Sequence, residues 1–210
     1  MIDALKKTAA CLTYTLCLFI IMLSLSSFTL ENHNNKQEIM LVLMWICTTF
    51  VLQISTSNLF ASDYNDGVLE QFFIQPLSSE LIIIYKIFAH WLLFGLPISV
   101  ISFIFSFIVL DHNIGYSITI GLSLLFNTLI IINISATGHA LIIGKSNLAS
   151  AVSQILVLPM IMPTFIYFKL LIQSENLLHI LSITALVFIM LIANSTIATH
   201  AALKFAVQHD

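Results

Sequence analysis

LIIIYKIFAHWLLFGLPISVISFIFSFIVL, residues 81–110, is a run of 30 residues broken by a single formal charge, Lys86. As a helix it extends about 45 Å, more than the ~30 Å of a bilayer's hydrocarbon core. Five comparable runs surround it: Ala9–Leu30, Ile39–Phe60, Ser117–Ile143, Leu148–Ile172 and Leu177–Leu203. Of the 17 charged residues, only Lys86 and Lys169 fall inside these runs. Both stand within a few residues of a run's end, where a lysine snorkels to the headgroups. In lipid every backbone amide must be satisfied within the segment, and the alternation of a barrel strand is absent. The sequence therefore predicts an all-α polytopic membrane protein with six transmembrane helices, one membrane domain over residues 1–210.

The composition agrees. Hydrophobic residues make up 59% of the chain and charged ones 8%, with mean hydropathy +1.04 and net charge −3. A soluble domain carries about a quarter of its residues as charge. A disordered chain or a nucleic-acid binder is excluded as well, since no basic footprint exists and arginine is absent. Six spans at roughly 20 residues each leave no room for a separate soluble domain. An even number of spans puts both termini on one side. If that side is the cytoplasm, Lys6, Lys7, Lys86, Lys145 and Lys204 lie inside, and only Lys36 and Lys169 outside, the arrangement the positive-inside rule favours. Lys6-Lys7 and Ser24-Leu25-Ser26 also resemble signal-peptide features, but the apolar run between them is longer than an ordinary signal core. Cys11, Cys17 and Cys47 sit in apolar runs without C-x-x-C spacing and read as small hydrophobes.

The connection between the second and third runs, ASDYNDGVLEQFFIQPLSSE at 61–80, is 20 residues long, whereas the others are eight or fewer. Asp63 or Asp66 is placed to cap a short helix, with Glu70 near its positive end. Leu69, Phe72, Phe73 and Leu77 give that helix an apolar side. Pro76 ends it, and Ser78 or Ser79 with Glu80 opens the next span. Four acids and no lysine make anionic lipid a poor partner, so a groove on another protein fits better. A solvated loop that grazes the lipid surface is the competing reading. In the third run Lys86 and His90 are one turn apart, followed by Trp91, an interface-anchor candidate, and by Gly95 and Pro97. Pro97 deprives the Leu93 carbonyl of its donor and predicts a kink; Pro159 and Pro163 do the same to Ile155 and Pro159. These prolines serve equally as hinges or as packing.

His90, His139, His179 and His200 fall within the predicted spans, and His33, His112 and His209 outside them. Histidine ligates haem iron and shuttles protons, yet interfacial hydrogen bonding explains most of these positions without a ligand. No carboxylate lies deep in a span, which argues against a proton-coupled transporter. H-E-x-x-H, G-x-S-x-G and G-x-x-x-x-G-K-[ST] are absent, and Gly144-Lys145-Ser146 has only the tail of a P-loop. The sequence thus reads as a non-enzyme that cannot hydrolyse ATP by itself.

Residues Asp63–Pro97 closely resemble the CcmB family, the permease subunit of the haem exporter of cytochrome c maturation. The matching positions are Asp66, Gly67, Leu69, Glu70, Gln71, Pro76, Leu77, Lys86, Ala89, His90, Trp91, Gly95, Leu96 and Pro97. ILVLPMIMP at 155–163 and Trp45 extend the resemblance over roughly residues 40–205. The resemblance implies an ABC-2-type permease that couples ATP hydrolysis by a separate cytoplasmic CcmA-like ATPase to movement of the membrane domain. CcmC-like and CcmD-like proteins and a CcmE-like haem chaperone are its further partners, and a homodimer of permease chains is implied. Loop 61–80 becomes the coupling loop, with Asp63, Asp66, Gly67, Leu69, Glu70, Gln71, Phe72 and Phe73 docking on the ATPase. Lys86, His90, Trp91, Gly95, Pro97, Pro159 and Pro163 become hinge or packing residues. ATP and magnesium belong to the partner, no cofactor is firmly bound, and haem is the transported ligand. Within the family, the cycle either moves haem or releases haem-loaded chaperone. The alternatives are a haem-handling protein that binds through histidines, with His112 and His179 the residues to test, and an unrelated ABC-2 exporter of lipid or polysaccharide. The expected location is a bacterial inner membrane, or a mitochondrial one if the chain is organelle-encoded. Two departures stand out: only MIDALKKT precedes the first run, where the family has an amphipathic elbow helix, and the acidic loop has no basic residue nearby.

Overall fold

An apolar run that leaves water keeps its amides and carbonyls paired only by turning them inward, and every described run is helical. The structure, a computed structural model, describes residues 2–29, 36–74, 79–109, 114–143, 147–173 and 196–206. In chain order these form α1 (Ile2–Thr29), α2 (Lys36–Thr56), α3 (Ala61–Asn65), α4 (Val68–Ile74), α5 (Ser79–His90), a π turn (Trp91–Gly95), α6 (Leu96–Val109), α7 (Ile114–Ala140) and α8 (Asn147–Gln173), followed by helical residues 196–206. Among the described residues there is no strand. Ala9–Phe28, Glu38–Asn65, Ser79–Val109 and Ile114–Ala140 are long and apolar enough to cross a membrane, and Val157–Leu170 in α8 is a shorter apolar stretch. Most of the expected sixth run, Leu177–Leu203, lies outside the described residues.

Two boundaries move. The second run ends as a helix at Thr56, and residues 57–60 form a turn closed by Ser57 N–H to Gln53 O (3.2 Å) and Leu59 N–H to Thr56 O (3.0 Å). At the start of the chain α1 begins at Ile2, so the lysine-bearing residues before Ala9 continue the first span as one helix.

α2 and α7 form the centre. In their most apolar windows 61% of the residues are buried, against 22% in α1 and 33% in Ser79–Val109. α7 packs on α2, α6 and α8, while α1 covers α2 and touches α6. Lipid is as apolar as leucine, so helices in a bilayer associate through close packing and hydrogen bonds instead of hydrophobic exclusion. α7 supplies both. A Cβ on Gly138 would collide with Val157 Cγ2 of α8, and one on Gly121 would stand 3.0 Å from Phe103 Cβ of α6. The absence of these two side chains lets α8 and α6 approach.

The interior is also polar. Thr48, Thr49, Gln53, Ser55 and Thr56 of α2 are buried, as are Ser123, Asn127, Thr128, Ser135 and His139 of α7. Many of the buried hydroxyls donate to a carbonyl of their own helix three or four residues back, which leaves their lone pairs free to accept from a neighbour. Thr164 donates to Ile161 O (2.7 Å) and accepts from Trp45 Nε1 (3.3 Å), joining α8 to α2. Thr128 donates to Leu125 O (2.8 Å) and accepts from Trp91 Nε1 (3.1 Å), joining α7 to the π turn. Asn127 Nδ2 reaches Thr164 O at 3.4 Å, and Thr137 Oγ1 meets Thr199 Oγ1 at 2.9 Å.

The helix does not simply kink at Pro97. It inserts an extra residue one turn earlier, and the Leu96 N–H donates to Trp91 O, five residues back. The proline removes one donor, and the π turn redistributes the bonds just ahead of it.

Candidate functional site

The loop that follows α2 folds as two short helices, where one was expected. α3 closes with Asp66 N–H to Ser62 O (3.0 Å) and Gly67 N–H to Tyr64 O (3.1 Å). Gly67 then takes φ +68°, a conformation glycine enters without a Cβ penalty, and the chain restarts at Val68. Neither acid is the N-cap of α3. Its N-cap is Phe60, with no side-chain cap bond; Asp63 lies in the first turn, and Asp66 is the C-cap.

α4 has the expected two sides. Leu69 is 1% exposed and Phe72 packs against the core, whereas Glu70 and Gln71 are exposed. With the exposed Asp66 and Gly67, they form an outer face that offers carboxylate and amide groups. The Phe73 side chain, Pro76 and Leu77 lie outside what the structure describes.

Asp63 is placed differently. Its carboxylate pairs with the Lys86 ammonium of α5, with the two side chains 20% and 24% exposed respectively. Lys86 Nζ also stands 5.4 Å from the centre of the Phe60 ring, within cation–π range. Lys86 was expected to reach for headgroups; an acid from the loop reaches it first.

One turn on, His90 is buried and its ring stacks on Phe94 at 4.4 Å. Ser55 Oγ donates to Leu52 O (3.0 Å) and lies 3.3 Å from His90 Nε2, so the network assigns the proton to Nε2. Trp91 commits its N–H to Thr128, within the bundle, where an interface anchor would turn it to the headgroups. Gly95 makes this possible, because a Cβ there would lie 2.5 Å from Trp91 Cδ1 and 3.0 Å from Thr128 Oγ1. Lys86 and His90 thus meet Phe60 and Ser55 at the end of α2 and in the turn after it, whereas Trp91 and Gly95 meet Thr128 of α7. Pro97 is half-buried in α6, and Pro159 and Pro163 are exposed within α8, which stays helical through both. His112 and His179 lie outside the described residues. Among the described residues no three His, Cys, Asp or Glu side chains are grouped to hold a metal, and Cys11, Cys17 and Cys47 are free thiols.

Residue patterns alone passed over Asn127, Thr128 and Thr164, the hydrogen-bonded nodes between helices. A signal exists for Asn127 alone, which follows Ser123 by one four-residue step and so lies on the same side of α7.

A family model described as CcmB protein matches residues 4–210. The chain belongs to the CcmB family. Curated relatives agree: Heme exporter protein B of Pseudomonas aeruginosa is 30% identical over 152 residues, covering 69% of this chain and 67% of that one. Heme exporter protein B of Haemophilus influenzae is 30% identical over 134 residues, 63% of this chain and 59% of the relative. The Paracoccus denitrificans protein of the same name is 29% identical over 125 residues, 60% of this chain and 56% of the relative. In the second and third alignments this CcmB-family chain spans less than two-thirds of the relative's own length.

Proposed function

We propose that this CcmB-family chain is the membrane permease subunit of an ABC transporter that serves haem export in c-type cytochrome biogenesis. Its relatives carry the name Heme exporter protein B, which supplies the substrate class. The observation that carries the mechanism is the two-sided α3–α4 loop. Asp66, Glu70 and Gln71 face outward, and Leu69 is fixed in the bundle behind them.

An element of this kind converts a push on its outer face into movement of the helices it is rooted in. The free energy comes from ATP, bound with magnesium on a separate cytoplasmic CcmA-like subunit. ATP shifts the conformation only because it binds the closed ATPase dimer better than the open one. In this reading the chain has six spans with both termini in the cytoplasm, and two copies assemble with CcmC-like and CcmD-like proteins and a CcmE-like chaperone. The complex sits in a bacterial inner membrane. Pro97, Pro159, Pro163 and the π turn are the points where the helices bend. Haem is cargo and no cofactor resides on this chain. The cycle's output is the delivery of haem or of haem-loaded chaperone.

The test reverses charge on the outer face. Asp66→Lys and Glu70→Lys should leave the protein in the membrane, weaken co-purification with the ATPase and lower c-type cytochrome yield roughly tenfold. If both variants pull down the ATPase normally and give normal cytochrome levels, the coupling reading is wrong.

A further inference from the structure

Three acids, Asp63, Asp66 and Glu70, lie in α3, α4 and the turn between them, and the structure treats them unequally. Asp66 and Glu70 point to the exterior; Asp63 turns back to Lys86. Lys86 is the only lysine between Lys36 and Lys145, and the stretch has no arginine. Three elements converge on its ammonium: the Asp63 carboxylate from α3, the Phe60 ring from the turn after α2, and its own helix α5. Four residues on, His90 bonds to Ser55 of α2 and stacks on Phe94 inside the π turn, which ends where Leu96 donates to Trp91.

We propose that the Asp63–Lys86 pair is an ionic latch that pins the loop to the third span and carries loop displacement into the π turn at Trp91–Gly95. This rests on the coupling reading above and refines it, because Asp63 becomes a positioning residue and leaves the docking to Asp66, Glu70 and Gln71. The two side chains are mostly shielded, so removing one strands the other as an unpaired charge at the edge of an apolar span. α3 is a helix of five residues and makes no long-lived structure alone. Its contacts with the span set its position, and the latch is the charged one among them.

The test follows Leu69, which is buried only while the loop is seated. Leu69→Cys is placed in a chain whose Cys11, Cys17 and Cys47 are replaced by serine, and membranes are labelled from the cytoplasmic side with a hydrophilic maleimide. Asp63→Ala and Lys86→Ala should each raise the labelling rate roughly fivefold by releasing the loop. Asp63→Glu keeps the charge and should stay within about twofold of the parent, as should the exchange Asp63→Lys with Lys86→Asp. Unchanged labelling in the single alanine variants overturns the latch, and so does Asp63→Glu labelling like Asp63→Ala.

A second arm uses the complete complex. Asp63→Ala should still retain the ATPase on pull-down while cytochrome yield falls. Loss of the ATPase in that variant would make Asp63 a docking contact and overturn the positioning role. Failure of the coupling reading itself shows separately, as normal pull-down and cytochrome levels in Asp66→Lys and Glu70→Lys.

Discussion

At Gly95 the third span faces Thr128 of α7 with no side chain at that position. The Trp91 indole lies across it to reach Thr128, and a methyl group there would meet both partners of that hydrogen bond at once. Gly95→Ala must displace the indole, which is held on its other side by Phe88 at 5.4 Å. The expected cost is about 1–3 kcal/mol, the range for overfilling a packed site. In detergent this appears as a lower midpoint in a thermal size-exclusion assay. Gly115→Ala is the control, since nothing lies within 4 Å of a Cβ there, and it should melt like the parent. Equal melting of the two variants would mean that Trp91 is not seated as described. Gly95, Trp91 and Lys86 were legible as a cluster because a tryptophan, a glycine and a lysine are conspicuous in an apolar run. Thr128 and Thr164 were not. An isolated threonine in a membrane helix satisfies itself by donating to its own backbone, and only the fold reveals which neighbour uses the remaining lone pair.

At the scale of elements, sequence reading located the first five apolar runs to within a few residues at most ends, because charge and hydropathy mark where a helix leaves lipid. The largest shift is at the start of α1, which begins seven residues before Ala9. Hydropathy cannot mark that boundary, since a helix continues past the membrane surface without a change in backbone geometry. The loop was misread as one helix for a different reason. Gly67 tolerates a helical as well as a left-handed conformation, and only its φ of +68° decides between them. The contact of α7 with α8 was equally illegible, because Gly138 and Val157 are distant in sequence and each is unremarkable alone. Their contact predicts a coupled pair of substitutions. Gly138→Ala should separate α8 from α7 and cost about 1–3 kcal/mol. Adding Val157→Ala removes the Cγ2 that the new methyl group would strike, so the double variant should recover most of the loss. Additive losses in the thermal assay would place the strain elsewhere.

For the molecule as a whole, orientation decides whether the loop can do the work assigned to it. Burial divides the helices into a polar-lined centre of α2 and α7 and an outer layer with apolar residues exposed, such as Tyr14 and Leu25 of α1 and Leu93 and Ile108 of the third span. That outer layer suits lipid on every side and carries no information about which way the protein faces. The lysines do carry it. Five of the seven fall on one side if the termini are cytoplasmic, and the α3–α4 loop falls on that same side. Alkaline phosphatase fused after Asn34 or Asn113 should therefore be active in the periplasm, and the same enzyme fused after Asp66 or Lys145 should be inactive. The reverse pattern would turn Asp66 and Glu70 away from the cytoplasm, where no ATP-driven partner could reach them. It would remove the coupling role while leaving the Asp63–Lys86 pair intact, because that pair depends on the fold of one chain and not on the side of the membrane it faces.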